Sequence, residues 1–168
     1  MHWYPAYVGL GSNLDDPAAQ VQRALAALAG LPESRLWRRS SLYGSKPMGP
    51  AAQPDFVNAV AALLTQLPVA EFFAQLRQLE ESLGRSPPRE RWGPRRIDLD
   101  LLLFAQLRLD GERLRLPHPG IVERNFVLYP LAEVAPELPV PGRGLVAELA
   151  SRVPSAGIWR LDTPSAAS

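Results

Sequence analysis

The pattern of hydrophobic and polar positions predicts strands and helices in a mixed order along the chain. Residues 6–10 form a short apolar run that is typical of a strand. Apolar residues at helical spacing then predict a first helix over 17–29, with Asp15 or Asp16 as its N-cap and Gly30 as its terminator. The chain therefore opens with a strand that leads into a helix.

The middle of the chain continues with two strands and a second helix. Residues 35–45 and 56–66 are predicted as strands that pair with one another across a loop rich in proline and glycine. The clearest helical period of the chain follows over 68–84, where Pro68 stands near the start and Gly84 at the end.

The last part of the chain predicts one more strand of the sheet and several shorter elements. A long apolar run within 91–104 is typical of a strand, and Asp110 and Gly111 after it indicate a hairpin turn. Short helices are predicted near 120–134 and 144–152. The order strand, helix, strand, strand, helix, strand predicts an α+β fold. Its helices pack on one face of a mostly antiparallel sheet, with a C-terminal hairpin and short helices added.

Composition limits the class of protein. The chain has 168 residues, of which 46% are hydrophobic and 21% charged, so we expect one domain over 1–160 and a flexible tail over 161–168. There is no apolar run long enough to cross a bilayer, which predicts a cytoplasmic protein without a membrane partner. The sequence has no cysteine, so disulfides and thiolate metal sites are excluded. A formal charge of +1 gives no general attraction to nucleic acid.

Two aspartates, Asp98 and Asp100, interrupt the apolar strand within 91–104. Alternation along a strand places both carboxylates on one face. Four apolar side chains are expected on the other face: Ile97, Leu99, Leu101 and Leu103. Such a pair of aspartates fits an exposed strand face, neutralisation by Arg95 and Arg96, or a cation site.

The loop before this strand favours the cation site. Five arginines lie within twelve residues: Arg85, Arg89, Arg91, Arg95 and Arg96. Mg²⁺ usually binds one or two carboxylates together with substrate phosphates, and arginine binds phosphate through a planar fork of donors. The pattern therefore favours a magnesium polyphosphate site, where phosphoryl transfer depends mainly on positioning and charge stabilisation.

A second candidate surface begins after the proline-rich loop. Phe56 and Asn58 share a face by strand spacing, and an aromatic ring beside an amide suits a flat heterocycle, although a core phenylalanine and a satisfied amide fit as well. Gly9 and Gly11 lack the rest of a dinucleotide motif, so we expect them to form a tight turn between strand and helix. His118 has no partner for a metal site, which favours a structural or nucleotide-side role.

Five segments together resemble the 6-hydroxymethyl-7,8-dihydropterin pyrophosphokinase family of folate biosynthesis. They are GSN at 11–13, QPDFVNAV at 53–60, GR at 84–85, RWGPRRIDLDLLLF at 91–104 and LPHPGIVERNFVLYPLAEVAPEL at 116–138. The resemblance implies a ferredoxin-like α+β fold and a transferase of the kinase type. The implied reaction moves the pyrophosphoryl group of ATP to the hydroxymethyl oxygen of the pterin and releases AMP.

The resemblance also implies roles for individual residues. Asp98 and Asp100 would bind two Mg²⁺ ions with ATP, while Arg85 and Arg95 would stabilise charge on the transferring group. Pterin contacts are implied at Ser45, Met48, Phe56, Asn58 and Phe126. ATP contacts are implied at Phe73, Glu80, Arg85, Trp92, Arg95, Leu101, Arg113, His118 and Arg124.

Two other classes of function stay open at this point. A ferredoxin-like RNA-binding or regulatory module would use the arginine loop, and an inactive ATP or pterin binder would keep the site without turnover. The sequence lacks the RNP-type pattern of RNA-binding sheets, and its aspartates and arginines are intact, so the enzyme is favoured. We expect a monomer whose partners are ATP and the pterin, with no nucleic acid. No general base is assigned.

Overall fold

The computed structural model describes residues 2–47, 52–84 and 97–161. Its elements, in chain order, are β1 Tyr4–Ser12, α1 Pro17–Leu28, β2 Ser34–Arg39, β3 Tyr43–Ser45, β4 Phe56–Thr65, α2 Val69–Ser82, β5 Asp98–Phe104, β6 Leu109–Asp110, β7 Arg115–Leu116, α3 Asn125–Val134, β8 Pro139–Val140, β9 Gly144–Leu145, α4 Val146–Ser151 and β10 Ile158–Arg160.

The main sheet has the strand order β10, β3, β4, β1, β5, and β2 also pairs with β4. Its pairings are antiparallel, and β1 lies between β4 and β5. The predicted strand over 35–45 is divided into β2 and β3, which pair with successive parts of β4. Taking β2 and β3 as one unit gives the ferredoxin-like order of strands, so the predicted α+β fold is confirmed.

Helices cover both faces of this sheet. The apolar sides of α1 and α2 pack in one core with alternate strand residues that include Ala59 and Ala61. Their neighbours Val60 and Ala62 pack in a second core with α3 and α4 on the opposite face. The prediction of helices on one face therefore describes the two longer helices, while the short helices cover the other face. None of the helices in the described ranges is long and apolar enough to cross a membrane.

A bulge in β5 corrects one part of the predicted alternation. Tyr7 of β1 pairs with Leu103, whereas the next residue, Val8, pairs with Leu101, so that Leu102 is an extra residue in β5. The extra residue turns Leu103 toward the core of α3, away from the face that Leu101 occupies. The expectation that Leu103 shares a face with Leu99 and Leu101 is therefore wrong.

The turn between β1 and α1 also differs from the prediction. Asp15 and Asp16 adopt positive φ angles of 53° and 61°, a conformation that aspartate tolerates better than most residues. The Asp16 carboxylate caps α1 by accepting the Ala19 amide at 3.4 Å, as expected. Gly9 and Gly11 lie inside β1 and not in the turn, so their predicted role in a tight turn is wrong.

The C-terminal elements are only partly as predicted. The hairpin at Asp110 is confirmed, but its loop is four residues long, because Asp110 pairs with Arg115. Helix α3 begins at Asn125, since the residues from 120 to 123 form turns. The small hairpin of β8 and β9 and the edge strand β10 carry no pattern strong enough to have been predicted.

A carboxylate on α3 ties the edge of the sheet together. Glu133 accepts hydrogen bonds from the Ser41 amide at 3.0 Å, the Ser41 hydroxyl at 2.9 Å and the Tyr43 hydroxyl at 2.8 Å, and Arg160 of β10 lies 3.4 Å away. Burial acts to raise the pKa of Glu133, but these hydrogen bonds and the charge of Arg160 outweigh it and hold that pKa below its ordinary value. Burial also raises the pKa of Tyr43 to about 12, with Glu133 adding to the shift.

This network predicts a pH-dependent contribution to stability. A lowered carboxylate pKa stabilises the fold above the unfolded value of 4.5, and the contribution is lost as the pH falls through the lower folded value. We expect Glu133→Gln to reduce the free energy of unfolding by about 1 kcal/mol at pH 7, because its hydrogen bonds lose a charged acceptor at a position where solvent screens the charge. Urea unfolding at pH 7 and at a pH well below 4 measures this reduction in the free energy of unfolding. The exposed Glu148→Gln of α4 is the control, and an equal deficit at both pH values would contradict the assignment.

Candidate active site

Asp98 and Asp100 lie side by side on one face of the sheet, called here the aspartate face. Both are half-buried, while Leu99 and Leu101 are buried in the core on the other face, which confirms the predicted alternation at this end of β5. In the register with β1, Asp98 lies opposite Gly11 and Asp100 opposite Gly9. The central strand therefore presents no side chain beside either carboxylate.

Gly11 connects the aspartates to a polar group on the next strand. It pairs with Asp98 on one side and with Asn58 on the other, so that the three residues form one row across β5, β1 and β4. Two strand spacings separate Asp98 from Asn58, a distance of about 10 Å. A Cβ atom at Gly11 would lie 3.1 Å from Asn58 Nδ2, closer than ordinary contacts. Glycine at this position keeps the floor between the amide and the carboxylate open.

The Asn58 amide is held in a fixed orientation. The Ser45 hydroxyl donates a 2.6 Å hydrogen bond to Asn58 Oδ1, and both residues are buried. The amide oxygen is thereby engaged, while Nδ2 lies toward Gly11. Phe56 is half-buried, pairs with Ser45 in the register of β3 and β4, and stands two residues from Asn58 on the same face. A ring and an oriented amide thus border the open floor.

The start of α3 brings an aromatic ring and a cation to the aspartate face. Phe126 is half-buried and packs against the core that this face shares with α3. The Arg124 guanidinium lies 5.8 Å from the centre of the Phe126 ring, within range of a cation–π contact. A Cβ atom at Gly120 would lie 2.6 Å from Arg124 Nε, so Arg124 takes its position only because residue 120 has no side chain.

His118 lies beside β5, within electrostatic range of Asp100. Its amide donates to Leu102 O at 3.0 Å, and its Nδ1 accepts the Gly120 amide at 3.1 Å, which leaves Nε2 to carry the proton of a neutral ring. Burial lowers the pKa of His118, the Asp100 charge opposes this effect, and Arg124 adds to the lowering. His118 is therefore a neutral hydrogen-bond donor near pH 7, close to both charges.

Helix α2 contacts the opposite side of the aspartate strand. Glu80 is 2% exposed, and its Oε2 accepts the Leu99 amide at 2.7 Å. Arg77 lies 3.0 Å from Glu80 Oε1, and its Nη2 donates to the carbonyl oxygen of Leu99. The guanidinium also lies 5.0 Å from the ring of Phe73. Arg77 was not predicted as a site residue, although its spacing of three residues from Glu80 indicates a pair on one side of the helix.

A buried amide secures the segment before β4. Asn13 is 1% exposed, and its Nδ2 donates to Gln53 Oε1 at 2.7 Å and to Pro54 O at 3.0 Å. These bonds tie the end of β1 to the residues that lead into Phe56. The GSN and QPDF segments, distant in sequence, are therefore parts of one structural unit beside the aspartate face.

The predicted site residues fall into three groups. Those on the aspartate face or at its border are Ser45, Phe56, Asn58, Asp98, Asp100, His118, Arg124 and Phe126. Those elsewhere are Phe73 and Glu80 on α2, Leu101, whose side chain is in the core, and Arg113, which is exposed in the hairpin loop. Met48, Arg85, Trp92 and Arg95 lie outside the described residues.

The two aspartates fit a metal that arrives with a substrate. Within the described ranges, no three or more His, Asp or Glu side chains are grouped so that they could hold a metal by themselves. Mg²⁺ does not need such a group, because it takes one or two carboxylates plus phosphate oxygens and water. Half-exposed carboxylates beside side-chain-free glycines leave room for that arrangement.

A basic pocket of about 520 Å³ adjoins this site. It lies between the hairpin of β6 and β7 and the turn at 141–143, and its cationic lining includes Arg108, Arg115 and Arg143. His118 belongs to its wall and thus connects it to the aspartate face. Positive charge near the aspartates suits a polyanionic ligand that also carries cations.

Comparison with known proteins gives one consistent family. Residues 7–136 match the model of the 7,8-dihydro-6-hydroxymethylpterin-pyrophosphokinase (HPPK) family. A Pseudomonas aeruginosa protein named 2-amino-4-hydroxy-6-hydroxymethyldihydropteridine pyrophosphokinase is 50% identical over 92% of this chain and 95% of its own length. A Haemophilus influenzae protein of the same name is 43% identical over 86% of this chain and 89% of its own length.

Solved structures agree at the level of the fold. An HPPK-DHPS protein crystallised with substrates superposes with a TM-score of 0.70 at 10% identity over 90% of this chain. The chain spans 43% of that longer protein. At this identity the likeness shows a shared fold, in agreement with the strand order described above.

The open floor of the aspartate face gives a structural prediction. Gly11→Ala is expected to displace the Asn58 amide and weaken its bond to Ser45, because the new Cβ would lie 3.1 Å from Nδ2. Gly9→Ala is the matched control, since its Cβ would meet Leu102 at an ordinary 3.4 Å. Side-chain amide signals of Asn58 in NMR spectra measure the effect. Equal shifts of these signals in both variants would show that the close contact at Gly11 has no special role.

Proposed function

Because the chain belongs to the 7,8-dihydro-6-hydroxymethylpterin-pyrophosphokinase family, we propose that it transfers the pyrophosphoryl group of ATP to the hydroxymethyl oxygen of 6-hydroxymethyl-7,8-dihydropterin. The observation that carries this proposal is the row of Asp98, Gly11 and Asn58, which places a carboxylate and an oriented amide at the two ends of one open floor. A heterocycle held at the amide end would direct a substituent toward the carboxylates.

The proposed reaction exchanges one phosphorus–oxygen bond for another. A bond forms between the hydroxymethyl oxygen and the β-phosphorus of ATP, and the bond from that phosphorus to the oxygen bridging it to the α-phosphorus breaks. AMP leaves with the bridging oxygen, and the hydroxyl proton goes to solvent or to phosphate. The protein must bring the two substrates into line and stabilise negative charge.

The amide end of the row is proposed to bind the pterin. Asn58 Nδ2 would donate to an acceptor on the ring edge, and the Ser45 hydroxyl fixes that amide so that little orientation is lost on binding. Phe56 and Phe126 would pack on the faces of the ring, because both are half-buried at the aspartate face. We propose a further contact near Met48, as the resemblance implies.

The carboxylate end is proposed to bind two Mg²⁺ ions together with ATP. Asp98 and Asp100 would provide oxygen ligands, which hard cations prefer. When bound, the ions would neutralise phosphate charge and polarise the transferring group. The carboxylates stand on a strand whose other face is buried in the core, which limits their movement.

Cationic and neutral donors are proposed to surround the nucleotide. His118 lies within electrostatic range of both Asp100 and Arg124, and its Nε2 proton and the Arg124 guanidinium suit contacts with phosphate oxygens. Arg113 in the hairpin loop would contribute a further cation. Arg85 and Arg95 are proposed to stabilise the transferring charge, and Trp92 to contact the nucleotide, as the resemblance implies.

The nucleotide is proposed to be bordered on the α2 side as well, along the outer edge of β5, by Phe73, Glu80 and Leu101. Leu101 would contribute backbone groups rather than its side chain, because that side chain is buried in the core.

The product of the nucleotide tests the reaction class. The protein is incubated with ATP, Mg²⁺ and 6-hydroxymethyl-7,8-dihydropterin, and nucleotides are separated by chromatography. We expect AMP and the pterin diphosphate in equal amounts. Release of ADP would show transfer of a single phosphoryl group, and the absence of turnover with Mg²⁺ present would contradict the proposal.

Removal of either aspartate is expected to abolish most turnover without unfolding the protein. Asp98→Ala and Asp100→Ala should each lower kcat by a factor of at least about 100, since loss of one well-placed charge-stabilising group commonly has that effect. AMP formation and circular dichroism measure rate and fold. Glu148→Ala is the control, because this carboxylate is exposed on α4 and belongs neither to the aspartate face nor to the lining of the basic pocket. Normal rates in the Asp98 and Asp100 variants would leave these residues with a structural role only.

A further inference from the structure

The aspartate strand has one edge that no other strand covers in the described part of the chain. Strand β5 is last in the order of the main sheet and pairs with β1 on its inner side. The backbone donors and acceptors on the outer edge of such a strand need partners from elements other than strands. A metal site built on such a strand needs another means of holding the backbone in place.

Helix α2 provides polar side chains at this edge. Leu99 lies between the two aspartates, and both of its backbone groups bond to α2: its amide donates to Glu80 and its carbonyl accepts from Arg77. The two side chains also pair with each other at 3.0 Å. One donor and one acceptor at the same residue reproduce what a neighbouring antiparallel strand would supply.

This contact acts on both aspartates at once. The Leu99 amide belongs to the peptide unit that joins it to Asp98, and the Leu99 carbonyl belongs to the unit that joins it to Asp100. Fixing the two planes limits rotation about the backbone on both sides of Leu99, and this rotation sets the directions of the flanking side chains.

The guanidinium donors of Arg77 differ in their surroundings and partners. Its side chain is 36% exposed, yet its Nε is buried and has no hydrogen-bond partner in the described ranges. An unpartnered buried donor lowers stability, and the contacts of the other guanidinium donors must offset that loss. These other donors bond to Glu80 and to the Leu99 carbonyl, and the guanidinium lies 5.0 Å from the centre of the Phe73 ring.

We propose that Arg77 is a positioning residue for the metal-binding aspartates. Together with Glu80 it supplies at Leu99 the donor and acceptor that a neighbouring strand would supply, and it sets the spacing and direction of the Asp98 and Asp100 carboxylates. This inference rests on the proposed function, in which those carboxylates bind Mg²⁺ with ATP. Arg77 itself contacts neither metal nor substrate in this role.

The test compares four variants of the full chain, one of which is a control. Arg77→Met removes the donors but keeps the length of the side chain, and Arg77→Lys keeps the charge without the fork of donors. Arg23→Met is the control, because Arg23 is an exposed arginine on α1 and is not among the residues that this helix buries. Arg77→Met removes the positive charge beside the buried Glu80 carboxylate, which can destabilise the fold. The double variant Arg77→Met with Glu80→Gln removes that buried charge as well, and it is used if the single variant is unstable.

Two measurements other than turnover decide the outcome. Calorimetry gives the Mg²⁺ concentration for half-saturation with a non-hydrolysable ATP analogue, and NMR gives the hydrogen-exchange rate of the Leu99 amide. For Arg77→Met we expect a 10- to 100-fold higher half-saturation concentration, as for other residues that orient metal ligands, together with faster exchange at Leu99. Arg77→Lys should fall between Arg77→Met and the wild type. The affinity for the pterin alone should not change, because Asn58 lies on a different strand.

The results separate this inference from the proposed function. If the wild type binds Mg²⁺ with the analogue but a folded Arg77→Met matches it, the positioning role is overturned while the function stands. Equal losses of Mg²⁺ and pterin affinity would show a general structural defect and would also overturn it. If the wild type binds no Mg²⁺ with the analogue, both proposals fail.

Discussion

The pairing of β1 with β4 on one side and β5 on the other is the constraint on which the site depends. Because side chains alternate along a strand, the register decides which residues meet across the sheet, and a slip of one residue would move all of them to the opposite face. The observed register aligns Asp98, Gly11 and Asn58 in one row. Two polar groups from distant segments thereby border a floor that exists only because the central residue is glycine.

The two cores keep this register in place. Helices α1 and α2 bury the apolar face of the same strands that carry the polar row, and α3 covers the remainder of the opposite face. Any shift of β5 would expose buried leucines such as Leu99, at roughly 25 cal/mol for each Å² of apolar surface returned to water. The bulge at Leu102 lies toward the far end of β5, so the twist it adds does not disturb the pairing of Asp98 with Gly11.

Local patterns predicted the elements and the shared face of Asp98 and Asp100, because alternation and helical spacing are properties of a few consecutive residues. They also predicted that Phe56 and Asn58 share a face. They did not predict the bulge, since an extra residue in β5 is visible only against its partner strand. The glycines of β1 were wrongly assigned to a turn because their role depends on the residues opposite them in β4 and β5, which the local sequence does not show. The contact of Arg77 and Glu80 with Leu99 joins segments 19 residues or more apart in the chain, which no local pattern encodes.

The charges on the aspartate face favour joint binding of metal and nucleotide in the proposed function. Two carboxylates on one strand would repel the phosphates of free ATP, and the described residues beside them contribute one full positive charge, Arg124, and a neutral histidine, His118. Mg²⁺ between phosphate and carboxylate converts this repulsion into attraction. Since the two aspartates do not form a complete metal cage by themselves, each ligand would strengthen the binding of the other in the proposed function. In the proposed function the site would be completed only when its substrates bind, on a strand that contacts both cores and α2.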